Sequence, residues 1–428
     1  MNLSVIGCGK MGFPLAVNAA SKGWNVIGVD INPKTVEMIN NGEMPIDEPG
    51  IEGILNDVVK RGLLRATLDL KEAVSIADVV IVIVPVLLDN YNRADLIGIK
   101  DVAQRLSKCM KKKVLISFET TLPVGTTRNI LKPILESNGL KAEEDFYLIF
   151  SPERVKSLMV MERLNKTPKV VGGLGPLSLK KGIDFYKSIV DCVIDVGSLE
   201  NAEMVKLMGM IYRDVNIALI NEMARYCDEL GLDILKIIQS ANTDKETYLL
   251  EPGIGVGGHC TPVYPYFLIN DAEQRGISQS LAKMARRIND DQSEYIINSL
   301  EGYFGELTNL NVLLLGLGFR PGVKEDINSP AYLVDRALKT RKVKVFLYDP
   351  FYTPNEIIQK GFGYSDIYSN DSMDAVILVT GHKPFLMLDW SRLKEKGVKA
   401  FVDGRNCFRK EDVEKEGIAY IRYKRWKR

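Results

Sequence analysis

The chain has 428 residues, 46% of them apolar and 26% charged, with a formal net charge of +1. These are the proportions of a folded globular protein of two or three domains, and they exclude a strongly basic nucleic-acid footprint or a charge-driven pull toward membranes. No run approaches the ~20 apolar residues of a membrane span, and six scattered cysteines with two histidines give no zinc pattern, so we expect a cytoplasmic protein with reduced thiols and no metal.

Residues 2–6, NLSVI, read as a strand. The run opens the chain, and we expect no signal peptide. Gly7-Cys8-Gly9-Lys10-Met11-Gly12 then leads into a helical pattern through Ser21, and NVIGVD at 25–30 reads as a second strand ending in an acid. This is GxGxxG within strand–turn–helix–strand, with Asp30 placed 18 residues after the last glycine. Such glycines allow a tight turn and bring a pyrophosphate to the helix N-terminus, whose free N–H groups favour anions. Asp30 accepts from a ribose diol and repels a 2′-phosphate, which predicts NAD rather than NADP.

Val79–Val84 and Val114–Phe118 are unbroken apolar runs, as in parallel strands buried on both faces. TTLPVGTT at 120–127 follows the second, at a strand end where open α/β sheets bind ligands. Its four threonine hydroxyls are candidate cofactor or water contacts, or simply helix caps. Tyr147–Phe150 delivers Ser151-Pro152-Glu153-Arg154-Val155 to the same edge, and strands at 170–173 and 193–196 complete a sheet.

From Glu200 to Leu230 the apolar positions follow helical spacing, which predicts one helix of roughly 45 Å. After a shorter helix comes PGIGVGGHCTPVYP at 252–265, four glycines and three prolines around Cys260. A thiol on a pre-shaped loop suits covalent catalysis; the alternative is a tight turn around an inert thiol. Residues 271–303 read as further helix. Strands at 311–315, 343–348, 375–380 and 400–403 form a second Rossmann-like unit. Its turn, GLGFRP, carries Pro321 where a phosphate loop needs a donor, so the dinucleotide pattern is absent there. Tyr423–Arg428 reads as a solvated basic tail. The expected fold is α/β: two Rossmann-like doubly wound domains, 1–198 and 306–428, joined by a central helical domain, 199–305, with one long helix.

In order and spacing, GxGxxG, TTLPVGTT, SPERV, NAEMVKL…YRDVNIALINE, PGIGVGGHCTP and GLGFRPGVKEDINSPA resemble the UDP-glucose/GDP-mannose dehydrogenase family, nearest its branch acting on UDP-N-acetylhexosamines. The resemblance implies NAD-dependent four-electron oxidation of a nucleotide sugar at C6, and a homodimer formed through the long helix. It implies that Cys260 is the nucleophile, Lys206 the oxyanion partner, and Glu153 with Thr121 the holders of water. Cofactor contacts carried over in the same way are Gly7, Gly9, Lys10, Met11, Gly12, Asp30, Val86 and Thr121. Substrate contacts are Arg154, Val155, Lys206, Arg213, Gly257, Phe319 and Arg320.

The chain departs from the family pattern at Val86, Met210, Tyr264 and Ile327, where the family has Thr, Asn, Asp and Arg, and at Asp244 and Glu246, where it has bases. These leave three alternatives: a working four-electron dehydrogenase, an NAD-binding regulatory homologue with little or no turnover, and a two-electron dehydrogenase.

Overall fold

The computed structural model describes residues 1–164 and 166–422, so Tyr423–Arg428 lies outside the described residues. The chain forms two compact units, Met1–Gly209 with Tyr266–Arg275, and Met210–Pro265 with Gly276–Arg428.

The first unit is built on eight strands: β1 (Asn2–Ile6), β2 (Asn25–Val29), β3 (Leu64–Thr67), β4 (Val79–Val82), β5 (Leu115–Phe118), β6 (Tyr147–Phe150), β7 (Lys169–Gly173) and β8 (Val193–Ser198). They lie in the order β3-β2-β1-β4-β5-β6-β7-β8. The first six strands have the doubly wound order, with the chain reversing its direction of growth between β1 and β4. β4, β5 and β6 are buried at every residue, which is why they read as uninterrupted apolar runs. The core beneath β1 and β2 is filled by Phe13, Leu15, Val17 and Trp24 against Phe185 and Tyr186.

One pairing breaks the parallel pattern. β7 runs antiparallel to β6, with Phe150 opposite Gly172. The first residue of β7, Lys169, therefore lies toward the edge where β5 and β6 end, rather than at the opposite edge where a parallel strand begins.

The second unit carries six strands: β9 (Asn311–Leu315), β10 (Lys344–Tyr348), β11 (Gly363–Tyr364), β12 (Ala375–Leu378), β13 (Ala400–Asp403) and β14 (Ala419–Ile421). They are ordered β11-β10-β9-β12-β13-β14, all parallel, and repeat the order of the first six strands. Helices at Ile234–Ala241, Ser280–Asp290 and Gln292–Phe304 belong to this unit. Ile220, Ala224, Ile238, Ile296 and Leu300 share a core with Val312, Leu314 and Val334.

The long helix spans Leu199–Leu230, 32 residues and about 48 Å at 1.5 Å per residue. Among the described residues no helix is long and apolar enough to cross a membrane.

Candidate active site

The turn after β1 is shaped by glycine where the chain touches itself. A Cβ on Gly12 would collide with the Gly7 carbonyl, and one on Gly7 would stand 2.9 Å from Ile83 O. Gly9 is different. No protein atom lies within 4 Å of where its Cβ would point, so the space its missing side chain leaves is open to a ligand. The helix Gly12–Ser21 begins there with no side-chain cap and no acid in its first turn, which keeps its N–H groups available to a phosphate. Asp30 accepts from Cys8 N and Asn32 N, both at 2.9 Å. Each carboxylate oxygen keeps capacity for a ribose hydroxyl. Lys10 is exposed, Met11 half-buried and Val86 buried. This turn fits NAD.

At the ends of β5 and β6 a charged cluster is buried. Lys169 Nζ lies 2.5 Å from Glu119 Oε2 and 3.1 Å from Glu153 Oε2. The other oxygen of Glu153 accepts from Arg154 N at 2.6 Å and Val155 N at 2.8 Å. Tyr186 OH donates to Glu119 Oε1 at 2.5 Å and sits 2.8 Å from Ser117 Oγ. Burial pushes Glu153 up, but the Lys169 ammonium and the two backbone N–H groups outweigh it, so its carboxyl titrates below the usual range. Glu119, wholly buried, is raised by desolvation. Burial works against the Lys169 charge, yet its two carboxylate partners prevail and hold it protonated. A cavity of about 10 Å³, near the least that holds one water, is lined by Glu153, Arg154, Thr167, Pro168 and Lys169 among others. The Arg154 guanidinium donates to Pro168 O.

Lys206 joins this cluster from the long helix. It is 8% exposed, and its Nζ donates to the Glu153 carbonyl at 2.8 Å. One turn earlier, Glu203 takes Gly125 N at 2.5 Å, Thr127 N at 2.9 Å and Thr127 Oγ1 at 2.6 Å. The helix thereby clasps the TTLPVGTT loop that carries buried Thr121. Burial raises Glu203 to about 7 against those three donors. The four threonine hydroxyls are not all available to a ligand: Thr127 serves Glu203, and Thr120 Oγ1 donates to Val84 O at 2.6 Å.

In the second unit the Cys260 loop is fastened along its length. Gly253 N donates to Asn221 Oδ1 at 3.0 Å, Ser293 Oγ to Ile254 O at 2.7 Å, and Ile254 N to Gly404 O at 2.9 Å. Gly258, at φ +101°, donates to Ile327 O at 3.0 Å. A Cβ on Gly257 would stand 2.8 Å from both Asn328 O and Phe319 Cβ. Arg320 lies over the Phe319 ring at 5.7 Å. Cys260 is half-exposed and a free thiol, as are the other five cysteines. His259 reaches Glu325 at 3.5 Å. Asp214 and Asn216 in YRDVNIA are scaffolding. Asp214 forms a buried pair with Arg286 at 2.6 Å, and Asn216 Nδ2 donates to Tyr248 O at 2.6 Å ahead of the loop. Arg213 and Tyr264 are half-buried, Met210 is buried, and Asp244 and Glu246 are exposed in a turn.

Comparison with known proteins settles the family. The model for the NAD binding domain of the UDP-glucose/GDP-mannose dehydrogenase family matches residues 1–190, that for its central domain residues 200–291, and that for its UDP binding domain residues 313–410. The chain belongs to the UDP-glucose/GDP-mannose dehydrogenase family. It is similar to the UDP-N-acetyl-D-mannosamine dehydrogenase of Pyrococcus horikoshii, 30% identical over 96% of this chain and 97% of the relative. It is also similar to the NDP-N-acetyl-D-galactosaminuronic acid dehydrogenase of Ralstonia nicotianae, 31% identical over 92% of this chain and 94% of that one. A solved structure of the Pyrococcus horikoshii UDP-D-ManNAc dehydrogenase superposes with a TM-score of 0.90 at 31% identity, covering 99% of both chains. As a family member the chain is an NAD-dependent UDP-sugar dehydrogenase by class, and its first unit holds the NAD binding domain.

Four acidic or basic residues of the first unit were not singled out from the sequence. Glu119 and Lys169 support Glu153, Glu203 clasps the threonine loop, and Glu48 accepts Leu158 N at 2.6 Å and Val160 N at 2.7 Å, tethering the segment after SPERV. The available signal was charge beside strand: Glu119 directly follows LISF, and Lys169 directly precedes VVGG.

Proposed function

We propose that the chain oxidises C6 of a nucleotide sugar from alcohol to acid, with UDP-N-acetyl-D-mannosamine or a related UDP-N-acetylhexosamine as substrate. The observation that carries this is the first-unit cluster, in which the Lys206 ammonium is bonded to the backbone of Glu153 and the Glu153 carboxylate is held ionised. The turn after β1 would hold NAD⁺, and two NAD⁺ in succession would supply the hydride acceptors that take C6 from alcohol to the acid level. Cys260 adds through sulfur to the C6 aldehyde, giving a thiohemiacetal. Loss of the second hydride leaves a thioester, which water cleaves, releasing the acid and the thiol. Lys206 stabilises the oxyanion at C6. Glu153 and Thr121 orient the water. Arg154, Val155, Arg213, Gly257, Phe319 and Arg320 contact the substrate. The names of the relatives support a UDP-N-acetylhexosamine. We further assign three domains, 1–198, 199–305 and 306–428, a cytoplasmic location, and a homodimer through the long helix. Tyr212, Leu219, Met223, Tyr226 and Leu230 on that helix are exposed and apolar or aromatic, in keeping with a covered face.

A second reading, an NAD-binding homologue without turnover, is favoured by Asp244 and Glu246 standing where the family has bases. NADH formed per sugar consumed decides. Two supports the four-electron reaction, one supports a two-electron dehydrogenase, and none across a panel of UDP-sugars supports the homologue.

A further inference from the structure

Glu153 is buried in a charged cluster, and three of its members, Lys169, Glu119 and Tyr186, have no part in the proposed chemistry. Lys169 faces it from β7 and Glu119 from the end of β5. Lys206 approaches from the long helix, and Arg154 is its neighbour in sequence. Tyr186, from the helix Pro176–Lys187, reaches Glu119. The side chains of Lys169 and Glu119 are 6% and 0% exposed, and the reversed direction of β7 brings Lys169 to this edge. A buried ammonium between two carboxylates is costly to desolvate and is weak evidence for stability on its own account.

We propose that Lys169, backed by Glu119, is the positioning residue for Glu153: its ammonium fixes the carboxylate in one orientation and keeps it an anion through the catalytic cycle. The geometry is complete for this role. One oxygen of Glu153 is pinned by two backbone N–H groups and the other by Lys169 Nζ, so neither rotation nor protonation is cheap. Glu119 in turn is held by Tyr186 and holds Lys169 at 2.5 Å. Without the ammonium, burial would act on Glu153 unopposed by a cation at that oxygen, and its affinity for a proton would rise.

The role in catalysis rests on the dehydrogenase reading above, so the test has one arm that needs no turnover. In full-length protein labelled with ¹³C at glutamate Cδ, the Glu153 signal is assigned by its loss in Glu153→Gln and titrated without substrate. Lys169→Met should raise the Glu153 midpoint by at least one pH unit, a tenfold change in proton affinity, and Lys169→Arg should restore it. A folded Lys169→Met protein with an unmoved midpoint overturns the proposal. Should Lys169→Met not fold, Glu119→Gln decides: it leaves the Lys169 charge to Glu153 alone, so the midpoint must not rise, and a rise of one unit overturns the proposal. In the second arm, turnover of a UDP-sugar is followed against pH. Lys169→Met should move the acid limb of kcat upward by at least one unit with KM within about threefold. A uniform drop at every pH, with the limb in place, marks a merely structural residue and overturns the proposal. Absence of turnover in the wild type bears on the dehydrogenase reading alone and leaves the titration to decide.

Discussion

Asp30 and Asp349 hold equivalent places in the two sheets. Each stands just past the second strand of its unit and takes a backbone N–H from the glycine turn after the first, Cys8 N at 2.9 Å in one and Leu317 N at 2.7 Å in the other. Their remaining surroundings differ. Asp349 is 1% exposed, takes Gly318 N as well, and lies 3.0 Å from His382 Nε2. Asp30 is half-buried. The first acid can meet a ribose, whereas the second is spent on its own loop.

NAD⁺ should therefore bind at least tenfold tighter than NADP⁺, and Asp30→Ala should narrow the gap. Calorimetric titration with both cofactors checks this. Equal affinities in the wild type would show that Asp30 does not meet the ribose diol.

Two alanine substitutions in one turn should behave differently. Gly9→Ala meets no protein atom, so stability should stay within ~0.5 kcal/mol while NAD⁺ affinity drops at least tenfold. Gly12→Ala collides with the Gly7 carbonyl and should destabilise the fold itself. Thermal melts beside cofactor titrations separate the two. A Gly9→Ala protein that binds NAD⁺ normally would refute the cradle.

Cys260→Ser should abolish acid formation while NAD⁺ binding persists, because an alcohol is poorly ionised near neutral pH and forms a less reactive ester. Mass spectrometry should reveal any stalled covalent adduct. Wild-type turnover by the serine variant would remove Cys260 from the mechanism.

Lys206→Ala should lower kcat by about 10²–10³, and it also leaves the Glu153 carbonyl without its 2.8 Å donor. Met210, four residues further along the same helix, is buried where the family pattern has Asn. Met210→Asn should change kcat or kcat/KM on the true substrate. An effect on stability alone would mean that Met210 is plain core and that the helix is aligned out of register with the family.

Glu203 makes stability depend on pH. Its carboxyl is raised from 4.5 to about 7 in the folded protein, so the folded state binds the proton more tightly than the unfolded chain. Its contribution is fully present below pH ~4.5 and is lost as pH rises through ~7, about 3 kcal/mol in all. Denaturant unfolding between pH 5 and 8 should show a shallower loss for Glu203→Gln than for wild type. Parallel slopes would contradict the assignment.

Much of this architecture was legible in the residues. β1, β6, β9 and β13 begin and end where the pattern placed them, and the first helix ends at Ser21 as read, because glycine punctuation and apolar runs act locally. β3, β11 and β14 were not seen: LRAT, GY and AYI are short strands at the edges of their sheets. The reversal of β7 could not be read, since strand direction depends on pairing rather than on composition. The same limit hid Lys169 and Glu119. Each is an ordinary charged residue in sequence, and only the fold brings them 2.5 Å apart in a dry place. The hydroxyls of Thr120 and Thr127 illustrate the converse, since a polar cluster at a strand end suggested ligand contacts and two of its members turn out to fasten the loop.

The reversed strand also makes the cluster sensitive to register. Side chains alternate across a sheet, so a one-residue slip exchanges its two faces. Deleting Val170, with the rest of β7 held in register, would move Lys169 to the opposite face of the strand and bring Pro168 to the place it leaves beside Glu119 and Glu153. Two carboxylates would then share a dry pocket with no cation from that strand. The protein would retain every residue of its recognisable motifs, Cys260 and Lys206 included, and still lack a defined charge at Glu153. In this fold, an insertion or deletion confined to a five-residue strand can silence an active site that a comparison of motifs would score as intact.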